Sequence, residues 1–281
     1  MRRFLPIILV IVALGVLARM IMLDVGSGGD EKRPRLVVHF VDVGPGGCTV
    51  IRTPDGRTIL IDAGSSERSD HLLSYLSDLE ISRIDLLVIT SSDEVRAGGL
   101  PMLLEEVGVS RVLDAARRPG GSAYQQAIRV MDERRIDRDA LDEGRDLGIS
   151  NCVQFKVLWP AVGATVSGDE SVVLRLAYGE ISFLLAGDMA AHSEARLLAE
   201  YHDLRSTVLR VPNSGDPLSA SNEFLQIVRP EYAVVFTEAG AFAETVMDRL
   251  IASGSKVFRT DENGDIVFST DGLRVWTECA Q

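Results

Sequence analysis

The spacing of apolar positions changes period several times along the chain. Short runs rich in Val, Ile and Thr, bounded by turn residues, predict strands over 36–43, 49–53 and 58–61, the last two joined at Pro54-Asp55-Gly56. The period then lengthens. Helical spacing covers 69–78, followed by an apolar strand at 85–89, a helix at 100–107, a strand at 111–113 and a helix at 122–135. A second group repeats this order, with strands at 154–158, 172–177 and 181–185, the last two meeting at Tyr178-Gly179-Glu180. A helix at 190–201, a strand at 207–211 and a helix at 222–228 come next. A strand at 232–236, a helix at 242–252 and a final hairpin with its turn at Glu262-Asn263-Gly264 close the chain. Two halves that each run from hairpins into alternating helix and strand predict an α/β (α+β) domain. Its two mixed sheets carry helices on their outer faces, a four-layer αββα sandwich.

The amino terminus has a different pattern. After Met1-Arg2-Arg3 the chain is apolar from Phe4 to Ala18, and after Arg19 again from Met20 to Leu23. With the Arg19 side chain snorkelling, the two runs make a helix of about 30 Å, enough to cross a bilayer. Residues 1–23 are therefore read as a signal anchor, a single transmembrane helix with its amino terminus inside and the domain on the extracytoplasmic side of the cell membrane. Val16 and Ala18 also suit a cleavage site, which would give a secreted or periplasmic form beginning at Arg19. Residues 24–35, DVGSGGDEKRPR, have the composition of a flexible linker, and the folded domain is expected over 36–281.

Composition narrows the function. The 281 residues are 46% hydrophobic and 25% charged, the balance of a globular chain. A net charge of −12 opposes attraction to nucleic-acid phosphates. Cys48, Cys152 and Cys279 are scattered, without C-x-x-C spacing, and suggest neither a disulfide scaffold nor structural zinc. None of His39, His71, His192 and His202 stands in H-x-H or H-x-x-x-H spacing.

The phrases His39-Phe40-Val41-Asp42-Val43-Gly44, Ile61-Asp62-Ala63-Gly64, Ile84-Asp85-Leu86-Leu87-Val88-Ile89-Thr90, Phe183-Leu184-Leu185-Ala186-Gly187-Asp188 and Phe258-Arg259-Thr260-Asp261-Glu262-Asn263-Gly264 occur in the order seen in ComEC-type competence proteins. The chain after Leu36 resembles their carboxy-terminal metallo-β-lactamase-fold domain. The resemblance implies a metal site built on T-H-x-H-x-D-H and V-P-H-H-G-S phrases. Here the corresponding stretches read Thr90-Ser91-Ser92-Asp93-Glu94-Val95-Arg96 and Val211-Pro212-Asn213-Ser214-Gly215-Asp216. Ser91, Asp93, Val95 and Arg96 stand at the family's His, His, Asp and His, and Asn213 and Ser214 at its later histidines. Asp188 alone is kept.

A catalytic zinc needs about three protein ligands and one open position. Valine has no donor atom, serine is a poor ligand, and Arg96 puts a fixed positive charge where the dication belongs. The zinc site is thus expected to be lost, with no cofactor and no catalytic residue. Asp188 would be neutralised by an Arg96–Asp188 ion pair, with Asp93 as a second acceptor. The leading expectation is a membrane-tethered pseudohydrolase that binds a protein partner. One alternative is a hydrolase acting on phosphodiesters or other esters through a carboxylate-held metal at Asp93, Glu94, Asp188 and Asp216. A second is a DNA-uptake accessory, against which the net charge argues. The apolar run yields a direct test: the full chain should fractionate with membranes and keep residues before Arg19, whereas amino-terminal sequencing that begins at Arg19 would mean a secreted form.

Overall fold

A computed structural model describes residues 34–44, 46–116, 120–141, 144–159, 172–201 and 203–279. The anchor read over 1–23 lies outside the described residues, as does the linker through 33; among the described residues no helix is long and apolar enough to cross a membrane.

The first half contains β1 (Leu36–Val41), β2 (Cys48–Arg52), β3 (Thr58–Ile61), α1 (Ser69–Asp78), β4 (Arg83–Ile84), β5 (Leu86–Ile89), α2 (Glu94–Ala97), α3 (Leu100–Glu106), β6 (Gly108–Val109), β7 (Arg111–Asp114), α4 (Ser122–Glu133) and β8 (Asp137–Ala140). The second contains β9 (Gln154–Trp159), β10 (Val173–Tyr178), β11 (Ile181–Leu185), α5 (Ala191–Glu200), β12 (Val208–Arg210), α6 (Asn222–Val228), β13 (Tyr232–Val235), α7 (Glu244–Ala252) and β14 (Lys256–Arg259). α8 (Thr260–Asn263) leads into β15 (Ile266–Thr270) and β16 (Val275–Cys279).

The halves share one pairing rule. β1–β2 and β2–β3 are antiparallel, and β3–β5, β5–β7 and β7–β8 parallel. In the second sheet β9–β10 and β10–β11 are antiparallel, then β11–β12, β12–β13 and β13–β14 parallel. The parallel strands of each sheet thus end at one edge, and the loops leaving those ends converge, the usual place for a site in such sheets. β15 and β16 extend the first sheet beside β1.

Three apolar clusters give four layers. Side chains such as Phe40, Ile59, Val88, Phe183 and Phe268 fill the space between the sheets, where the Phe268 ring on β15 meets Phe183 on β11 edge to face. Leu72 and Leu76 of α1, Leu103 of α3 and Met131 of α4 cover the outer face of the first sheet. Leu197 of α5, Phe224 of α6 and Leu250 of α7 cover that of the second. Strand alternation explains the split: Phe40 points between the sheets, while its neighbour Val41 points out toward the helices.

One sequence expectation needs correction, and one strand escapes the sequence pattern. Glu262-Asn263-Gly264 is not a hairpin turn, because α8 carries the chain from β14 in the second sheet to β15 in the first. The closing hairpin is β15–β16, turning at Asp271-Gly272, where Gly272 has φ 88°. Asp-Gly is itself a hairpin signal, and nothing local distinguishes it from the Asn-Gly before it. The polar strand β8, exposed along its length, has no apolar period to reveal it; it forms as an edge paired to β7.

His39 faces α1 from the middle of β1; its Nδ1 lies 2.9 Å from the Tyr75 hydroxyl, while Nε2 is buried without a hydrogen-bond partner. Burial, then the Arg52 charge, lowers its pKa from the ordinary 6.5 to about 4, against the opposing pull of Asp265. The unfolded chain therefore binds the proton first on acidification. The stability from neutral His39 is fully present above pH 6.5 and lost as pH falls to 4. Denaturant unfolding should show wild type losing on the order of 3 kcal/mol more than His39→Gln between pH 7 and pH 4.

Candidate functional site

Four charged side chains meet where the parallel strands end. Asp62 follows β3 with φ 58°, a left-handed conformation that an aspartate tolerates better than most residues. Its carboxylate turns inward and accepts from the Thr90 amide at 2.8 Å and the Thr90 hydroxyl at 2.6 Å, which ties the end of β3 to the end of β5. Arg96 lies on α2, just beyond that loop, and is 1% exposed. Its Nη1 donates to Asp62 Oδ2 at 3.0 Å. Its Nε and Nη2 donate as a fork to the two carboxylate oxygens of Asp188, which follows β11 in the other sheet. Arg210 on β12 is also buried; its Nη2 donates to the Gly46 carbonyl at 3.3 Å and its guanidinium lies 5.0 Å from the Phe236 ring centre.

Backbone contacts hold the cluster. The Ala63 amide donates to the Arg96 carbonyl and the Gly99 amide to Gly64, so α2 is pinned against the segment after β3. Gly46 packs so closely on α2 that a β-carbon there would sit 1.5 Å from the Val95 carbonyl oxygen. Gly187, at φ 52°, lets the chain turn ahead of Asp188, and its carbonyl accepts from the Asn213 amide.

Burial pushes the Asp62 carboxyl up from its ordinary range, opposed by Arg96 and by the Thr90 donors. Burial also acts on Asp188, but Arg96 outweighs it and holds that carboxyl below the usual value. Burial disfavours the Arg96 charge, yet Asp188 and Asp62 together hold the guanidinium protonated more firmly than usual. Burial, then the like charge of Arg96, pulls Arg210 down to about 10, still protonated at neutral pH.

The sequence-derived positions divide accordingly. Arg96 and Asp188 come together. Asp93 does not serve as the second acceptor: it is exposed, its amide bonds the Ser91 hydroxyl, and Asp62 takes the third guanidinium bond. Val95 is 41% exposed. Asn213 and Ser214 sit in the 3-10 turn Pro212–Gly215, both left-handed at φ 49° and 51°. Asp216 accepts from the Leu218 amide within its own turn. His192 is exposed on α5, His71 faces Asp265 at 3.3 Å, and His202 lies outside the described residues.

Asp62 and Arg210 join the cluster although the sequence pattern assigns neither a role. Asp62 stood inside a phrase used only for the family resemblance. Arg210 carried a usable signal, an arginine in an otherwise apolar parallel strand.

This donor set does not fit a divalent metal. The two carboxylates that converge are both bound to Arg96, with a second cation, Arg210, close enough to couple to each. Among the described residues no group of three or more His, Cys, Asp or Glu is placed to hold a metal ion.

The paired mixed sheets and the loops at their ends are those of a metallo-β-lactamase fold, and the family model for the metallo-beta-lactamase superfamily matches residues 41–239; the chain belongs to that superfamily. Within it, the chain is 26% identical over 255 residues to ComE operon protein 3 of Bacillus subtilis, covering 82% of this chain and 32% of that protein. It is 28% identical over 234 residues to Competence protein ComA of Neisseria gonorrhoeae, covering 81% and 31%. The chain spans about a third of the length of these relatives. Among solved structures the metallo-beta-lactamase fold protein YhfI of Bacillus subtilis superposes with a TM-score of 0.56 at 11% identity, covering 86% of this chain and 100% of that one, a likeness of fold.

Removing Arg96 alone would strand the fully buried Asp62 carboxylate. Arg96→Ala should cost roughly 3–5 kcal/mol in denaturant unfolding, whereas Asp93→Ala, at an exposed position, should stay within about 0.5 kcal/mol. Equal effects from the two variants would show that Arg96 does not carry the cluster.

Proposed function

We propose that this chain is a non-catalytic metallo-β-lactamase-fold module, held at the cell membrane by a helix over residues 1–23 with its domain outside, that works by binding a protein partner. The zinc site is lost in this reading. The observation that carries it is the Arg96 guanidinium, clasped between Asp62 and Asp188 where the resemblance implies a metal. A metal-activated hydroxide needs an ion with an open coordination position; a guanidinium has five donors and no vacant orbital with which to activate water. The competence proteins among the relatives support a setting in that process, and the net charge of −12 favours a protein partner over nucleic acid. A carboxylate-held metal has less support, because Asp93 is exposed and Asp216 is engaged in its own turn.

Elemental analysis and thermal unfolding of the purified full chain test the reading. The expected result is metal well below one ion per chain, a midpoint unchanged by chelator, and no phosphodiester turnover with added Mn²⁺, since an ion that does not bind contributes no linkage. Stoichiometric metal with turnover abolished by Asp188→Ala would overturn it in favour of a hydrolase.

A further inference from the structure

A groove of about 710 Å³ runs along the outside of the first sheet between α1 and α3, away from the charged cluster. Its floor is apolar: Leu76, Ile81 and Val107 are buried, Leu73 is half-buried, and Met102 is 40% exposed. Its rim carries four carboxylates beside Ser77 and Ser82. Asp70, Glu80, Glu105 and Glu106 all line the groove and are all exposed, and no Lys or Arg lines it. The nearby base Arg134 donates to the Leu104 and Glu105 carbonyls, so its guanidinium is held by the main chain at the end of α3.

The arrangement has a cost in the free chain. Four carboxylates on one rim repel each other at low salt, and Met102 keeps apolar surface in water. One occupant relieves both: an amphipathic helix whose apolar stripe lies in the groove and whose Lys and Arg residues flank the stripe to meet the rim. This is the helix-in-groove mode of recognition, with anchors at i, i+3, i+4 and i+7. A flexible thioether such as Met102 suits that role, because it adapts to the side chain laid against it. Complementary charge along the rim sets orientation and on-rate, and the accessible surface of Met102 and Leu73 supplies the apolar contact. An acidic partner or a nucleic acid is opposed by the same four carboxylates.

We infer that the groove between α1 and α3 is the docking surface for a basic amphipathic helix of a partner protein. The inference rests on the reading of the chain as a binding module and names the surface and the chemistry of its partner.

Hydrogen exchange of the full chain in non-ionic detergent tests it, with a designed leucine–lysine helix as the probe and a leucine–glutamate helix of the same apolar spacing as its control. Exchange is read segment by segment, so partition of either peptide into micelles does not imitate docking. With the leucine–lysine helix at about ten times its Kd, amides of α1 and α3 should exchange about tenfold more slowly. The effect should shrink in high salt and in the Glu105→Lys/Glu106→Lys variant, whose exchange elsewhere reports that it is folded. Unchanged exchange in α1 and α3, equal protection by the leucine–glutamate helix, or full protection in the variant overturns the inference. Protection at the loops carrying Arg96 and Asp188 also overturns it, while leaving the binding-module reading in place. That reading fails separately, through stoichiometric metal and turnover.

Discussion

A carboxylate at the end of β3, 1% exposed, has to be neutralised where it stands, and much of the site follows from how Asp62 meets that requirement. Thr90 supplies two donors from the neighbouring strand end, and Arg96 supplies the countercharge. At 3 Å and an effective dielectric near 20, a unit pair attracts by about 5 kcal/mol, close to the several kcal/mol each ion gives up on leaving water. The cluster is therefore near break-even as a source of stability. Its consequence is geometrical: a guanidinium held by Asp62 on one side has its remaining fork directed at Asp188, so one side chain spans the two sheets.

The fold makes that span available. Because both halves begin antiparallel and finish parallel, the ends of β3 and β5 face the ends of β11 and β12 across the sandwich. In the superfamily architecture this meeting point can be shared by ligands from both sheets. Here it is shared by two aspartates and two arginines, whose charges cancel. Close approach of Gly46 to α2, permitted by its missing β-carbon, brings its carbonyl to Arg210.

At the strand ends the charges are matched within the chain, whereas the outer helical layer carries a rim of unmatched carboxylates. The α1–α3 groove is formed by helix packing outside the first sheet, whereas the charged cluster sits at the strand ends, and the two share no lining residue. The apolar floor of the groove is continuous with the core beneath α1 and α3.

Much of the architecture could be read from local pattern. The strands at 58–61 and 181–185 and the helices at 69–78 and 222–228 have the limits predicted for them, because period-2 and period-3.6 spacing with turn residues at both ends leaves little freedom. The degraded T-H-x-H-x-D-H phrase was legible too, since residue identity alone decides whether a donor atom exists. Pairing across distance was legible only where the family resemblance supplied it, as for Arg96 with Asp188. Asn263-Gly264 and Asp271-Gly272 carry the same turn signal, and only the placement of β14 and β15 in different sheets decides which one closes a hairpin. A linear reading offers Asp93, three residues from Arg96, as its second acceptor and gives Asp62 no such role. Asp62 is the one that serves, because the parallel pairing of β3 with β5 brings residues 34 apart into contact, while the adjacent Asp93 points to water. The sequence alone determined which groups are present and most of the strands and helices that carry them; tertiary structure decided that Asp62 and Arg210 join Arg96 and Asp188, because the cost of an unpaired ion is settled only when the two sheets close around it.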